Sequence, residues 1–145
     1  MHDKTILVVE DNPDHLELTL LALQEQGLRP HIAVARDGAE TLDYLFGQGT
    51  HSGRDTQQQP ELVLLDLKLP KLTGLEVLQR MRGDARTACI PVVMWTSSSE
   101  DEDIVACYQE GANSVVRKPV DFGEFSDKLR QLKGYWLQVN ESRLA

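Results

Sequence analysis

The sequence has no long apolar segment and few cysteines. None of its 145 residues belongs to a stretch approaching the roughly 20 apolar residues that a membrane-spanning helix needs. The amino terminus shows no apolar region followed by a small-residue cleavage site, so no secretory signal is predicted. The two cysteines, Cys89 and Cys107, lie in unrelated segments without a metal-ligand spacing, and we expect reduced thiols. These features predict a cytoplasmic protein that does not contact a membrane.

Basic residues are also scarce. The chain has 15 Lys and Arg against 23 Asp and Glu, which gives a net charge of −8. Contacts to nucleic-acid phosphates need clustered Lys and Arg, and the sequence contains no such cluster, so nucleic-acid binding is not expected. The composition, 41% hydrophobic and 26% charged, is typical of a globular protein. The length suits one domain with a sizeable core, so residues 1–145 are predicted to form a single domain.

Short apolar runs alternate with helical patterns five times along the chain. The runs predict strands at 5–9, 31–35, 62–65, 90–95 and 114–117. Runs of four to eight β-branched and aliphatic residues between helices are typical of buried parallel strands. The pattern therefore predicts an α/β domain in which helices cover both faces of a mostly parallel sheet.

Capping and breaking residues predict where the helices begin and end. The predicted helices run from Pro13 to about Gln26, from about Ala39 to Phe46, from Thr73 to about Arg82, from Ser99 to Gly111, and from Asp121 onward. Thr73 with Glu76, and Ser99 with Glu102, have the form of capping boxes, and Asp121 is predicted to cap the final helix. The stretch 48–60 is expected to be an irregular surface segment.

Chemically reactive side chains follow four of the predicted strands. They are Glu10 with Asp11, Asp66, Thr96 and Lys118. The carboxyl ends of parallel strands meet at one edge of a sheet, so we expect these side chains to share one pocket. Adjacent carboxylates raise each other's energy unless a cation lies between them, so Glu10 and Asp11, with Asp66, predict a Mg²⁺ site. An alternative for Asp11 alone is a cap on the helix that follows.

Asp66 could also act as a nucleophile. An aspartate carboxylate can attack phosphorus and form an aspartyl phosphate. The oxygens of the transferring phosphoryl group then need partners that compensate their growing charge. Mg²⁺, the Lys118 ammonium and the Thr96 hydroxyl are suitable partners. The pocket is therefore predicted to bind a divalent cation and a phosphoryl group.

The segments that carry these residues resemble the receiver domains of two-component response regulators. They are Val8-Val9-Glu10-Asp11-Asn12, Leu64-Leu65-Asp66-Leu67 with Pro70 and Gly74, Trp95-Thr96-Ser97-Ser98, and Arg117-Lys118-Pro119-Val120. The resemblance covers about residues 4–132. It implies a flavodoxin-like (βα)5 fold, a doubly wound sheet of five parallel strands.

The same resemblance implies a role for each residue of the pocket. Asp66 would accept a phosphoryl group from the histidine of a sensor histidine kinase, and Thr96 and Lys118 would bind the phosphoryl oxygens. Mg²⁺ would be held by Glu10, Asp11, Asp66 and the backbone carbonyl of Lys68. The Lys118–Pro119 peptide bond would be cis. The chain would then be a phosphoacceptor that catalyses only its own phosphotransfer and slow dephosphorylation.

A narrower resemblance concerns the partner. The segments Leu67-Lys68-Leu69-Pro70-Lys71, Glu102-Asp103-Ile104 and Tyr135-Trp136-Leu137 look like those of single-domain response regulators paired with bacterial and cyanobacterial phytochromes. This resemblance implies that the kinase is a light-sensing phytochrome.

The sequence departs from the family in one place. The family commonly has Tyr or Phe three residues before the lysine, where this chain has Val115, so we expect the signal to leave by another route. The final helix is the candidate, because its apolar residues have the spacing of a paired-helix seam. Those residues are Phe122, Phe125, Leu129, Leu132, Trp136 and Val139. Residues 134–145 are predicted to extend this helix, with Trp136, Leu137 and Val139 contacting a second subunit in a homodimer.

Two other classes of protein also fit parts of the pattern. A Mg²⁺-dependent phosphatase of the haloacid-dehalogenase kind uses an aspartate nucleophile with Thr and Lys. Such enzymes generally carry a second aspartate two residues after the nucleophile, where this chain has Lys68. A flavodoxin-like FMN binder is disfavoured because Glu10 and Asp11 put negative charge where a phosphate-binding loop would offer N–H groups.

Overall fold

Five parallel strands form one sheet in the order β2-β1-β3-β4-β5 in the computed structural model, which describes residues 4–25 and 27–142. The strands are β1 (Thr5–Val9), β2 (His31–Ala35), β3 (Leu62–Leu65), β4 (Val92–Thr96) and β5 (Ser114–Arg117). The predicted flavodoxin-like sheet of five parallel strands is confirmed. β4 begins two residues later than predicted, because Ile90 still belongs to the preceding turn and donates its N–H to the Thr87 carbonyl.

Five α-helices connect or follow these strands. They are α1 (Pro13–Gln24), α2 (Gly38–Phe46), α3 (Gly74–Arg82), α4 (Asp101–Gln109) and α5 (Phe122–Gly134). A π-helical turn (Tyr135–Val139) continues α5, and a 3₁₀ turn (Gly49–His51) lies in the predicted irregular segment 48–60. The predicted end of the first helix, Gln26, is outside the described residues. None of the helices in 4–25 and 27–142 is long and apolar enough to cross a bilayer.

The helices cover both faces of the sheet. In β1, Ile6 and Val8 point to one face and Leu7 and Val9 to the other, as the two-residue period of a strand requires. The helical residues that complete the two buried clusters are Leu23 of α1 and Leu129 of α5 on the first face, and Leu45 of α2, Leu78 of α3 and Cys107 of α4 on the second. Because β1 and β3 are buried on both faces, side chains that contact a ligand have to lie beyond the ends of these strands.

Two of the three predicted helix caps are confirmed. Thr73 and Glu76 form a capping box at α3, and the Asp121 carboxylate accepts the N–H of Glu124 at α5. The Ser99–Glu102 box was wrong, because the residue before α4 is Glu100 and its side chain forms no capping hydrogen bond. Ser98 organises this turn instead, since its hydroxyl lies 2.6 Å from a carboxylate oxygen of Asp103.

The carboxyl-terminal segment packs on its own chain. The helical conformation ends at Val139, short of the predicted extension to 145, and residues 143–145 are outside the described range. Leu137 is 1% exposed and belongs to the buried cluster of α1 and α5, and its carbonyl accepts a hydrogen bond from Lys4. The prediction that Leu137 contacts a second subunit was therefore wrong, because the π-helical turn directs this side chain into the core.

Candidate functional site

The reactive residues predicted from the sequence lie together at the carboxyl edge of the sheet. Glu10 follows β1, Asp66 follows β3, Thr96 ends β4 and Lys118 follows β5. All four line one cavity of about 320 Å³, together with Asp11, Asn12, His15, Lys68, Ser97 and Ser98. The parallel register of β1, β3, β4 and β5 brings these strand ends to the same side of the sheet.

Glu10 is buried in the wall of this cavity. It is 2% exposed, and its Oε1 accepts a hydrogen bond from Lys118 Nζ at 2.5 Å. Its other oxygen accepts the backbone N–H of Asn12 at 3.2 Å. Burial raises the pKa of Glu10 to about 7, although the hydrogen bond and the charge of Lys118 act in the opposite direction. A cation beside Glu10 would therefore strongly favour its ionised form.

Asp11 is exposed, and the capping role lies with its neighbour. The Asn12 side chain accepts the N–H groups of Asp14 and His15 in the first turn of α1. The alternative that Asp11 caps this helix was therefore wrong. Asn12 satisfies the free N–H groups of α1, which leaves the Asp11 carboxylate available to a ligand.

The three carboxylates are suitably placed for a divalent cation. One oxygen from each of Glu10, Asp11 and Asp66 lies within 4.8 Å of the others. Around a six-coordinate Mg²⁺, adjacent oxygens are about 2.9 Å apart and opposite oxygens about 4.2 Å apart. The three carboxylates would therefore move closer together on binding, and water can fill the remaining positions. Lys68, whose backbone carbonyl is the fourth predicted ligand, also lines this cavity. The donor set of hard oxygens fits Mg²⁺ or a similar hard cation.

Asp66 lies between a backbone donor and an ammonium. Its side chain is 13% exposed, Oδ1 accepts the N–H of Leu67 at 2.7 Å, and Oδ2 accepts from Lys118 at 3.0 Å. The loop that follows is closed by the N–H of Gly74, which donates to the Leu67 carbonyl at 2.8 Å. These contacts orient the carboxylate while leaving one side of it open to the cavity.

Lys118 is the central cation of the site. Its side chain is 3% exposed, and its Nζ contacts Glu10, Asp66 and the Nδ1 atom of His15, which is 3.1 Å away. The backbone N–H of Lys118 donates to the Thr96 carbonyl at 2.7 Å, which continues the pairing of β5 with β4. The peptide bond between Lys118 and Pro119 is trans, as are the other described peptide bonds, so the expected cis bond was wrong. Trans is the intrinsically favoured form even before proline.

His15 was not predicted from the sequence. A single histidine in the first turn of a helix does not by itself indicate a functional site, because side chains at this position are often simply exposed to solvent. Its spacing is the clue that was available: His15 follows Asp11 by four residues, about one helical turn, so the start of α1 brings it back to the cavity.

Thr96 is 3% exposed, and its hydroxyl is oriented by the following loop. The Thr96 Oγ1 accepts the backbone N–H of Ser98 at 3.1 Å. This leaves the hydroxyl proton available to a ligand oxygen in the cavity. Ser98 in turn contacts Asp103 of α4, so the loop that carries Thr96 is tied to that helix.

Val115 on β5 occupies the position at which receiver domains commonly have Tyr or Phe. Val115 is partly buried against the cluster of α2, α3 and α4, and its backbone N–H donates to the Tyr108 hydroxyl at 3.2 Å. Tyr108 is on α4 and is 50% exposed. The aromatic ring next to β5 therefore comes from a neighbouring helix rather than from the strand.

Comparison with known proteins assigns this architecture to a family. A sequence model described as the response regulator receiver domain matches residues 6–130. The probable methanogenesis regulatory protein FilR2 of Methanothrix harundinacea is 39% identical over 137 residues, which are 94% of this chain and 86% of that protein.

Solved structures of phytochrome response regulators are similar over nearly the whole chain. The bacteriophytochrome response regulator AtBRR is 50% identical, with a TM-score of 0.76 and coverage of 92% of this chain and 94% of that one. The phosphorylated cyanobacterial phytochrome response regulator RcpA is 30% identical, with a TM-score of 0.91 and coverage of 98% and 99%. The Mn²⁺-bound form of response regulator Rcp1 is 29% identical, with a TM-score of 0.88 and coverage of 96% and 98%.

Proposed function

This chain belongs to the response regulator receiver domain family, and on that premise we propose that Asp66 accepts a phosphoryl group from the histidine of a sensor kinase. The observation that supports this proposal is the position of Asp66, between the Lys118 ammonium at 3.0 Å and the carboxylates of Glu10 and Asp11. In the transfer, an Asp66 carboxylate oxygen bonds to phosphorus as the bond from phosphorus to the donor nitrogen breaks. The nitrogen keeps the electron pair of that bond.

The other residues of the cavity compensate charge during the transfer. The Lys118 ammonium meets one phosphoryl oxygen and the Thr96 hydroxyl donates to another. Mg²⁺ would be held by Glu10, Asp11, Asp66 and the Lys68 carbonyl, and it would supply further positive charge to the transferring group. Without a cation, a phosphoryl group would enter a cavity lined by three carboxylates, and the like charges would oppose it.

The decisive experiment is chemical labelling. Incubation with acetyl phosphate and Mg²⁺ should add one phosphoryl mass to the intact chain, and the adduct should survive acid and be lost in base. Asp66→Asn should abolish labelling, whereas Asp101→Asn, which changes an exposed aspartate outside the cavity, should not. Labelling that persists in Asp66→Asn would contradict the proposal.

A phosphatase activity of the haloacid-dehalogenase kind is not supported by the family to which the chain belongs. The side chain two residues after Asp66 is the exposed Lys68, which offers no carboxylate for acid and base catalysis. We expect one phosphoryl group per chain and slow release. Multiple rapid turnovers of a generic phosphate ester would instead favour the enzyme.

We further propose that the kinase is a phytochrome and that the chain acts in the cytoplasm, where ATP is available to the kinase. The support is the similarity to AtBRR and RcpA, both described as phytochrome response regulators. A purified bacterial phytochrome kinase should transfer its phosphoryl group to this chain faster than unrelated sensor kinases do. Equal transfer rates from all kinases would contradict this assignment.

A homodimer through the carboxyl-terminal helix is also part of the proposal. Leu137 is buried and Trp136 is partly buried against the same cluster, so the most exposed apolar side chains left in this segment to contact a second copy are Tyr135 and Val139, which are 49% and 67% exposed. Val139→Glu should lower the sedimentation mass to that of a monomer, because an interface would bury the new charge. Gln138→Glu adds the same charge at a neighbouring exposed position and is the matched control. An unchanged mass in Val139→Glu would contradict the dimer.

A further inference from the structure

His15 supplies Lys118 with its third hydrogen-bond acceptor. An ammonium has three N–H donors, and Lys118 Nζ lies 2.5 Å from Glu10 Oε1, 3.0 Å from Asp66 Oδ2 and 3.1 Å from His15 Nδ1. The first two acceptors are carboxylates of the proposed cation and phosphoryl site. The third is a ring nitrogen on a different element, helix α1.

The three acceptors differ in what happens to them during the proposed reaction. Glu10 and Asp66 must turn toward a cation, and Asp66 becomes an acyl phosphate, so both contacts to Lys118 change. His15 takes no part in either event. Its contact is therefore the one that can hold the ammonium in place while the carboxylates exchange partners.

His15 is held through both its backbone and its ring. Its backbone N–H donates to the Asn12 side chain at 3.1 Å, which orients the first turn of α1. Its ring centroid lies 6.0 Å from that of Phe125, a residue of α5 that is 3% exposed. The acceptor is consequently placed by the packing of α1 on α5 rather than by a mobile surface side chain.

The hydrogen bond requires one form of the imidazole. Lys118 can only donate, so Nδ1 must be the acceptor and the proton of the neutral ring must lie on Nε2. Burial and the Lys118 charge lower the pKa of His15, while Asp66, Asp14 and Asp11 act in the opposite direction. The direction of the shift agrees with a neutral acceptor.

We propose that His15 is a positioning residue that keeps the Lys118 ammonium aimed into the cavity while Asp66 is phosphorylated. The proposal rests on the proposed function of Asp66. It predicts that the His15 side chain affects the rate of phosphorylation only through Lys118, and that the acceptor atom matters more than the ring.

Two substitutions separate the acceptor from the ring. His15→Phe keeps an aromatic ring next to Phe125 but removes the acceptor, whereas His15→Asn removes the ring and places an oxygen near the position of Nδ1. With acetyl phosphate and Mg²⁺, we expect His15→Phe to be phosphorylated about tenfold more slowly, the scale of one hydrogen bond from a charged donor. His15→Asn should recover most of that loss. A His15→Phe variant that reacts at the wild-type rate overturns the proposal.

A double-mutant cycle then distinguishes positioning from a general structural effect. In a Lys118→Ala background, His15→Phe should cause no further decrease in the residual rate, because the ammonium that His15 positions is gone. The same decrease in both backgrounds overturns the positioning role. Wild-type protein that takes up no phosphoryl group overturns the proposed function itself, so the two failures are distinguishable.

Discussion

Gly74, the first residue of α3, lies against the backbone of the proposed phosphoacceptor. A Cβ atom at this position would be 2.2 Å from the carbonyl oxygen of Asp66 and 2.9 Å from the Cα of Leu67. Normal contacts between such atoms exceed 3 Å, and the neighbours here are backbone atoms that cannot rotate away. Gly74→Ala should therefore displace the loop that carries Asp66 by about 1 Å, the amount needed to restore a normal contact.

The expected energy follows from two opposing contributions. Overpacking of this kind costs about 1–3 kcal/mol of stability. We expect a cost near the upper end of this range for Gly74→Ala, because the new atom meets backbone atoms that cannot rotate away. Replacing glycine by alanine in a helix recovers up to about 1 kcal/mol. We therefore expect Gly74→Ala to lower the free energy of unfolding by about 2 kcal/mol and the Tm by about 4–8 °C.

Gly134→Ala is the matched control, because it makes the same substitution in helical backbone with open space around the new atom. Gly134 has φ −61° and no atom within 4 Å of the added Cβ. This variant should gain about 0.5–1 kcal/mol. Both variants should be measured by urea denaturation, together with labelling by acetyl phosphate. If Gly74→Ala is as stable as the wild type and is labelled as fast, the reasoning from close backbone contact is refuted.

Three further outcomes are expected. Leu137→Ala should lower the free energy of unfolding, measured by urea denaturation, by about 2–5 kcal/mol, because the side chain is 1% exposed. Val139→Ala changes an exposed residue and is the control. Equal losses of stability in the two variants would contradict the packing of Leu137. Asp121→Ala should cost about 1 kcal/mol through loss of the α5 cap, and no loss would contradict that cap. The pKa of Glu10 is raised from 4.5 to about 7, so the folded state binds more protons in that window. Without divalent cation, stability should therefore fall as the pH rises from 4.5 to 7, and should fall less in Glu10→Gln; equal slopes would contradict the shift.

The fold and the main site were predictable because both depend on local patterns. The continuous apolar runs of β1 and β3 identify strands buried on both faces, and parallel strands leave few places for charged residues. Glu10 and Asp66, directly after such runs, can only lie at the carboxyl edge of the sheet. Lys118 follows β5, which β3 and β4 separate from β1, and its long side chain reaches across the strand ends to both carboxylates.

The remaining contacts depend on packing between distant elements, which no local pattern reports. His15 reaches Lys118 because α1 packs on α5 beside the strand ends, and the two residues are 103 positions apart. Ser98 replaces Ser99 as the organiser of the turn before α4 because its hydroxyl reaches Asp103. Either serine satisfies the sequence rule, and only the path of the loop distinguishes them.

The π-helical turn after α5 changes which residues can carry a signal. On a regular α-helix each residue advances by about 100°, which would place Trp136 on the same side as Leu129. In the π-helical turn the N–H of Asn140 donates to the carbonyl of Tyr135, five residues earlier, so each residue advances by less. This smaller rotation brings Leu137 toward the side of Leu129 and into the core. Leu137 thereby interrupts the seam predicted from the spacing, and an interface with a second copy has to use the more exposed side chains on either side of this buried leucine, among them Tyr135 and Val139.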